Sequence, residues 1–227
     1  MSISEIETSE AKETGRIEAF SDGVFAIAVT LLVLDIKVPQ LPEGQATALA
    51  LLEALRKQWP SYLAYVISFA TIGIMWINHH RLLTLIKRSN HTFLLLNTFL
   101  LFWVTFVPFP TSLLAEYVAR PEPGLAEIGA LVYSGTFILT AVAFNLLWRY
   151  ASFKNRLIDR KANPESVKAI STAYVFGPIL YAVAFVLALV SPMASVIMNM
   201  LLAIYFALPE RTGRSMYTGD QGSGVGD

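Results

Sequence analysis

The chain of 227 residues is 55% hydrophobic, and only 15% of its residues are charged, compared with roughly a quarter in most soluble domains. Together with a mean hydropathy of +0.54 and a net charge of zero, this composition disfavours a water-soluble fold. The absence of cysteine excludes disulfide frameworks, thiolate metal sites and cysteine nucleophiles.

Six apolar segments predict an all-α integral membrane protein. Five are long enough to cross a hydrocarbon layer about 30 Å thick, and the sixth is marginal in length. The predicted spans are residues 17–37, 60–79, 92–114, 127–149, 171–190 and 193–208. We therefore expect a cytoplasmic tail over residues 1–15, a six-helix membrane domain over residues 16–208 and a disordered cytoplasmic tail over residues 209–227.

The positions of lysine and arginine predict the orientation of these spans. Cytoplasmic segments near helix ends retain positive charge, and most of the seventeen basic residues lie in the two tails and in the second and fourth connections. Both termini are therefore expected in the cytoplasm, with the chain crossing the cell membrane several times. The N-terminal tail is acidic, so the first span is expected to be retained rather than removed as a signal peptide.

The first span carries an acidic residue near each end, Asp22 and Asp35. A carboxylate at membrane depth usually faces protein or water and marks an ion path, although a structural pair is also possible. For Asp22 we favour the functional interpretation. Asp35 lies at the expected outer end, where it either concentrates cations at a pore mouth or forms a plain ion pair with Lys37.

Ile27, Leu31 and Leu34 form an apolar stripe at i, i+4 and i+7 of the first span. At about 100° per residue, Asp22 is rotated by about 140° from Ile27. We therefore expect Asp22 to face neighbouring helices and to brace a pore wall that the stripe would line. Such a stripe taken alone is more often a packing seam than a pore lining.

Polar residues of three spans converge at the expected cytoplasmic boundary. The second span ends with Trp76, His79 and His80, and Asn97 lies about a turn and a half into the third. Buried polar groups must pair, so we expect a hydrogen-bonded network. Its expected members are Ser21, Asp22, Trp76, one of the two histidines and Asn97. Such networks more often fix helix packing than move ions.

Neither a metal site nor an enzymatic site is expected. Adjacent side chains on a helix diverge by about 100°, so His79 and His80 cannot readily bind one metal ion together. The sequence has no HExxH motif and no clustered carboxylates. Ser21 and Asp22 with a distant histidine lack a nucleophile elbow and an oxyanion loop, which disfavours a hydrolase. We expect no cofactor.

One pattern at the inner ends of the first two spans is specific. It reads Arg16-x-x-x-Phe20-Ser21-Asp22-Gly-x-x-Ala-Ile27-x-x-Thr30-Leu31-x-x-Leu34, followed by Trp76-x-Asn78-His79-His80-Arg81. This pattern resembles the prokaryotic branch of the transmembrane protein 175 family, the endolysosomal potassium channels, and the similarity extends over nearly all of residues 15–208. The resemblance implies a homotetramer of six-helix subunits in which the first helix lines a central pore, with self and lipid as partners and no nucleic acid.

The resemblance also implies residue roles. It assigns the hydrophobic constriction to Ile27, with Leu31 and Leu34 as further rings and Thr30 as the polar position beside them. The residues given a polar bracing role are Arg16, Ser21, Asp22, Trp76, His79 and Asn97, and the choice between His79 and His80 stays open. Apolar rings strip water from an ion, so the more weakly hydrated potassium ion is expected to permeate modestly better than sodium.

A secondary transporter is the competing hypothesis. It would use Asp22 and a histidine as a proton relay. The six helices show no internal repeat, which weakens this hypothesis without excluding it. A channel produces unitary currents without obligatory proton movement, whereas the flux through such a carrier is slow and follows a pH gradient.

Overall fold

The computed structural model describes residues 3–44, 46–120 and 122–207, with side chains from Thr14 onward. Within these ranges the chain forms eight α-helices and no sheet. They are α1 (Ile3–Leu31), α2 (Ala48–Lys57), α3 (Trp59–Leu85), α4 (His91–Phe106), α5 (Pro108–Tyr117), α6 (Leu125–Ser152), α7 (Pro164–Ala188) and α8 (Pro192–Ala207). Short 3-10 segments, Leu32–Asp35 and Phe153–Asn155, extend α1 and α6. The C-terminal tail expected over residues 209–227 lies outside the described residues.

Five helical segments are long and apolar enough to cross a membrane. They are Thr14–Asp35, Trp59–Leu85, His91–Tyr117, Leu125–Asn155 and Pro164–Ala188. The chain is therefore a multi-pass membrane protein, and each of the first five predicted spans coincides with one of these segments. The sixth coincides with α8, which is apolar but has only 16 residues. At 1.5 Å per residue α8 is about 24 Å long, short for a hydrocarbon core of about 30 Å.

Two local features differ from the pattern expected from the sequence. The first connection, which lies between the first two predicted spans, contains the helix α2, and the Thr47 hydroxyl caps this helix by accepting from the backbone N–H of Ala50 at 3.1 Å. The third span is divided into α4 and α5. This division occurs at Pro108, whose ring nitrogen has no hydrogen to continue the helical ladder.

The helix α6 lies at the centre of the bundle and packs against α4, α5, α7 and α8. Its buried aromatic side chains, among them Tyr133, Phe137 and Trp148, form much of the core. The helix α1 lies at the edge of the bundle and packs against α3 and α4. One face of α1 therefore contacts the bundle, and the opposite face has no neighbour among the described residues.

The ends of α3 and α6 are tied together. The backbone N–H of Lys87 donates to the carbonyl oxygen of Leu157 at 3.1 Å, and the N–H of Asp159 donates to that of Leu85 at 2.8 Å. These bonds place the second and fourth connections, which are both rich in basic residues, at the same end of the bundle.

Candidate functional site

One face of α1 carries large apolar side chains that no other described helix covers. We call these residues the uncovered stripe: Phe20, Ile27, Leu31 and Leu34, with 42–64% of each exposed. The opposite face, which includes Phe25, Ala28 and Leu32, is buried against the bundle. The helix is thus apolar on two opposite sides, and within the part of the chain that the structure describes only one of them packs against other helices.

Thr30 and Asp35 lie next to the uncovered stripe. The Thr30 hydroxyl is exposed and donates to the carbonyl oxygen of Ile27 at 3.0 Å. Asp35 is half-buried at the end of the 3-10 segment that extends α1. The Lys37 ammonium group donates to the carbonyl oxygen of Leu34 at 3.0 Å, and among the described residues no ion pair joins Asp35 and Lys37. The plain ion pair considered for Asp35 is therefore not formed.

A buried chain of hydrogen bonds connects α1, α4 and α3. The Ser21 hydroxyl donates to the carbonyl oxygen of Ile17 at 2.8 Å, so its oxygen can accept a hydrogen bond from elsewhere. The Asn97 amide nitrogen donates to this oxygen at 3.0 Å, which turns the amide oxygen toward His79. That oxygen lies 2.8 Å from His79 Nε2, so Nε2 carries the proton. Ser21, Asn97 and His79 are at most 3% exposed, so the hydrogen bonds that connect them are shielded from solvent.

A second contact joins the inner parts of α1 and α3. The Trp76 indole nitrogen donates to Asp22 Oδ1 at 2.8 Å. Asp22 is half-buried and Trp76 is 42% exposed, so this charge-assisted hydrogen bond lies at the edge of the helix interface. The Asp22 carboxylate points to α3, away from the uncovered stripe.

A third contact lies one helical turn farther along the same pair of helices. His80 Nδ1 and Glu18 Oε1 are 2.7 Å apart, with both side chains partly exposed. Sequence reasoning did not identify Glu18. The two histidines point to different neighbours: His79 contacts α4 and the ring of Phe25 on α1, with 5.4 Å between ring centroids, whereas His80 contacts Glu18.

Arg16 stands apart from these contacts. Its side chain is exposed, and in the part of the chain that the structure describes it makes no hydrogen bond or ion pair with the network residues. The structure therefore brings together Ser21, His79 and Asn97 in one group and Asp22 and Trp76 in another, and it leaves Arg16 outside both. Among the described residues, no group of three or more His, Asp or Glu side chains could hold a metal ion.

Comparison with known proteins gives consistent matches. The family model described as the endosomal/lysosomal potassium channel TMEM175 matches residues 16–108. A Chamaesiphon minutus protein named as a potassium channel is 52% identical over 203 residues, which cover 89% of this chain and 98% of the relative. A Streptomyces collinus protein named as a potassium channel is 42% identical over 196 residues, which cover 86% of this chain and 91% of the relative.

A solved structure matches over a similar extent. It is the crystal structure of a TMEM175 homologue from Chamaesiphon minutus, described as a lysosomal potassium-selective channel. It aligns with a TM-score of 0.76 at 50% sequence identity and covers 86% of this chain and 97% of that chain. The similarity therefore includes the whole bundle and not only the first two spans.

Proposed function

This chain belongs to the TMEM175 family of ion channels and is not an enzyme, and from this premise we propose that it is a potassium-permeable cation channel. The observation that carries the proposal is the uncovered stripe on α1, an apolar face that the other described helices leave free along most of a membrane span. The Chamaesiphon minutus and Streptomyces collinus relatives, both named as potassium channels, match over 98% and 91% of their lengths, which supports potassium as the permeant ion.

Assembly as a homotetramer gives the uncovered stripe a place at a central axis. Small, exposed residues lie on α1 beside the stripe, at i, i+4, i+7 and i+11, and at about 100° per residue they fall within one narrow sector. They are Ala19, Gly23, Ala26 and Thr30. Small side chains let membrane helices approach closely, and a Cβ at Gly23 would meet no described atom within 4 Å. This sector is suited to contact with α1 of a neighbouring subunit, and the uncovered stripe then faces the central axis of the tetramer.

The proposed constriction selects ions by their hydration. Four Ile27 side chains around an axis would form a ring. When the opening of this ring is narrow it excludes water, and the side chains offer no oxygen atom in place of the water that an ion loses. An ion must shed water there, and potassium loses less hydration energy than sodium, which predicts a modest preference for potassium. Leu31 and Leu34 would form further apolar rings, Thr30 would supply hydroxyl groups, and Asp35 would concentrate cations at the outer mouth.

The bracing contacts keep α1 in one rotation about its own axis. Asp22 with Trp76, and Ser21 with Asn97 and His79, fasten the covered side of α1 to α3 and α4. We assign them a positioning role rather than a place in the ion path. Arg16 projects on the same side as the stripe by helical geometry, so its bracing contact is proposed to lie in a neighbouring subunit.

The proposed topology has six spans, with α8 as the sixth and both termini in the cytoplasm of the cell. The backbone bonds between the ends of α3 and α6 support alternating spans, because they hold two even-numbered connections at one end of the bundle. The basic residues of those connections support a cytoplasmic location for that end.

Planar-bilayer recording of the purified protein tests the proposed function. With potassium on one side and sodium on the other, we expect unitary currents whose reversal potential favours potassium. Native mass spectrometry of the same sample should give four copies of the chain. An absence of unitary currents, together with slow uptake into liposomes that follows a pH gradient, would instead identify a proton-coupled transporter.

A further inference from the structure

Three of the four leucines of α2 share one side of the helix, and the Glu53–Lys57 pair lies on the other. At about 100° per residue, Leu51, Leu52 and Leu55 fall within an arc of about 100°. Glu53 and Lys57 lie on the far side, where Lys57 Nζ is 3.0 Å from Glu53 Oε1. Ala50 and Ala54 lie in the remaining sector, and the exposed Leu49 lies at the border between the leucine and charged sides. A helix with this distribution is suited to a boundary between an apolar and an aqueous medium.

The leucine face of α2 has no partner within the described chain. All residues of α2 are described and none is buried. Leu51, Leu52 and Leu55 are 38–45% exposed, whereas Ala50 and Ala54 are half-buried on a different side. The alanine side thus lies toward the bundle, where α2 contacts α3. The leucines project to one flank of this contact and remain uncovered.

The position of α2 relative to the membrane follows from its connection to α3. Only Gln58 separates Lys57 from Trp59, the first residue of a membrane-crossing segment. The C-terminal end of α2 therefore lies next to the residue at which the membrane-crossing segment of α3 begins. Trp59 is 48% exposed at this junction, and tryptophan side chains favour the interface between lipid and water. Farther along α3, Leu63 and Val66 continue an uncovered apolar surface.

We propose that α2 lies in the membrane–water interface as a lipid anchor, with the face formed by Leu51, Leu52 and Leu55 turned toward the acyl chains. The occupant of this face is phospholipid, because the uncovered apolar residues of α3, which include Trp59 and Leu63, begin only one residue after α2 ends. Arg56 lies at the border between the leucine and charged sides, where its guanidinium group can reach lipid phosphates. The Glu53–Lys57 pair then faces water.

Spin-label accessibility tests this proposal directly, since the chain has no native cysteine and every introduced cysteine gives a unique label. Labels at L51C and L55C would be compared with labels at E53C and K57C in vesicles of phosphatidylcholine and phosphatidylglycerol. Oxygen partitions into lipid, and a nickel chelate present on both sides of the vesicle stays in water. L63C serves as the lipid control and E43C as the aqueous control.

We expect the labels at L51C and L55C to collide several-fold more often with oxygen than with the nickel chelate, and those at E53C and K57C to show the reverse ratio. Ratios at L51C and L55C equal to that of the aqueous control would overturn the proposal, since α2 would then lie off the membrane. Low accessibility to both reagents with dipolar broadening would also overturn it, because a second copy of the chain would cover the face. Circular dichroism of each labelled variant establishes that it retains its fold.

Discussion

Replacing Asn97 with leucine is expected to destabilise the packing of α1 against α3 and α4. Asn97 is 3% exposed and provides two interhelical hydrogen bonds, of 3.0 Å to Ser21 and 2.8 Å to His79. Without the amide, Ser21 keeps its bond to the carbonyl oxygen of Ile17. His79 loses its hydrogen bond at Nε2, and its buried Nδ1 already has no partner in the described structure.

The expected loss of stability comes mainly from His79, because Ser21 keeps a hydrogen-bond partner in the Asn97→Leu variant and His79 does not. Leaving a buried polar group unpaired costs about 1–3 kcal/mol, and interhelical hydrogen bonds in a membrane protein average about 0.6 kcal/mol with a maximum near about 1.7. We therefore expect a loss of about 1–2 kcal/mol, almost all of it from His79. For a chain of this size that corresponds to a lowering of Tm by about 2–8 °C.

Thermal unfolding in detergent at one fixed scan rate measures this loss. Thr98→Leu is the matched control, because Thr98 is the next residue of α4, is exposed and bonds only to the carbonyl oxygen of Leu94 in its own helix. We expect the control to change stability by no more than about 0.5 kcal/mol. If Asn97→Leu and Thr98→Leu had the same Tm, the buried hydrogen-bond chain would contribute nothing to stability and the reasoning would be refuted.

Three further substitutions probe the other contacts of α1. Asp22→Ala is expected to reduce assembly, measured by size-exclusion chromatography, or thermal stability, measured by thermal unfolding. A normal tetramer with altered conductance would place Asp22 in the ion path instead. Trp76→Phe removes the hydrogen bond to Asp22 and keeps an aromatic ring, so we expect a stability loss of about 0.5–1.5 kcal/mol, and no loss would mean that this bond is not stabilising. Glu18→Gln weakens a partly exposed pair, for which we expect at most about 1 kcal/mol and a loss that shrinks in high salt; a salt-independent loss would contradict an electrostatic origin.

The positions of the membrane spans could be predicted because length and apolarity leave little choice. A segment must supply about 20 apolar residues to cross a bilayer as a helix, and five described helical segments meet this requirement. The family resemblance predicted from the motif that begins at Arg16 is also confirmed by the comparisons. Helical arithmetic was sufficient to separate the direction of Asp22 from that of Ile27.

Shorter elements were harder to predict. The helix α2 has ten residues, less than an isolated helix usually needs to be stable. Its signals are Thr47 as a capping residue and the leucines that follow, but the flanking prolines, Pro39 and Pro60, favoured an irregular connection. The interruption between α4 and α5 was visible as Pro108, yet the apolar composition on both sides of it predicts one continuous span.

The Glu18–His80 contact illustrates what depends on tertiary structure. On α1, Glu18 lies one turn before Asp22, and on α3, His80 lies one turn after Trp76. Because the two helices run antiparallel, the Asp22–Trp76 contact aligns them so that Glu18 meets His80. The sequence contains the four-residue spacing on each helix, but a tertiary contact is needed to set the register between the two helices.

The reversal potential of an Ile27→Asn channel tests whether Ile27 forms the constriction that selects between potassium and sodium. Ile179→Asn on α7 is the matched control, since Ile27 and Ile179 are 58% and 55% exposed and only Ile27 belongs to the uncovered stripe. Under bi-ionic potassium and sodium, we predict that Ile27→Asn shifts the reversal potential toward zero, because a hydrated ring no longer forces ions to shed water, and that Ile179→Asn leaves it unchanged. An unchanged reversal potential in a conducting Ile27→Asn channel would contradict the account and remove Ile27 from the constriction.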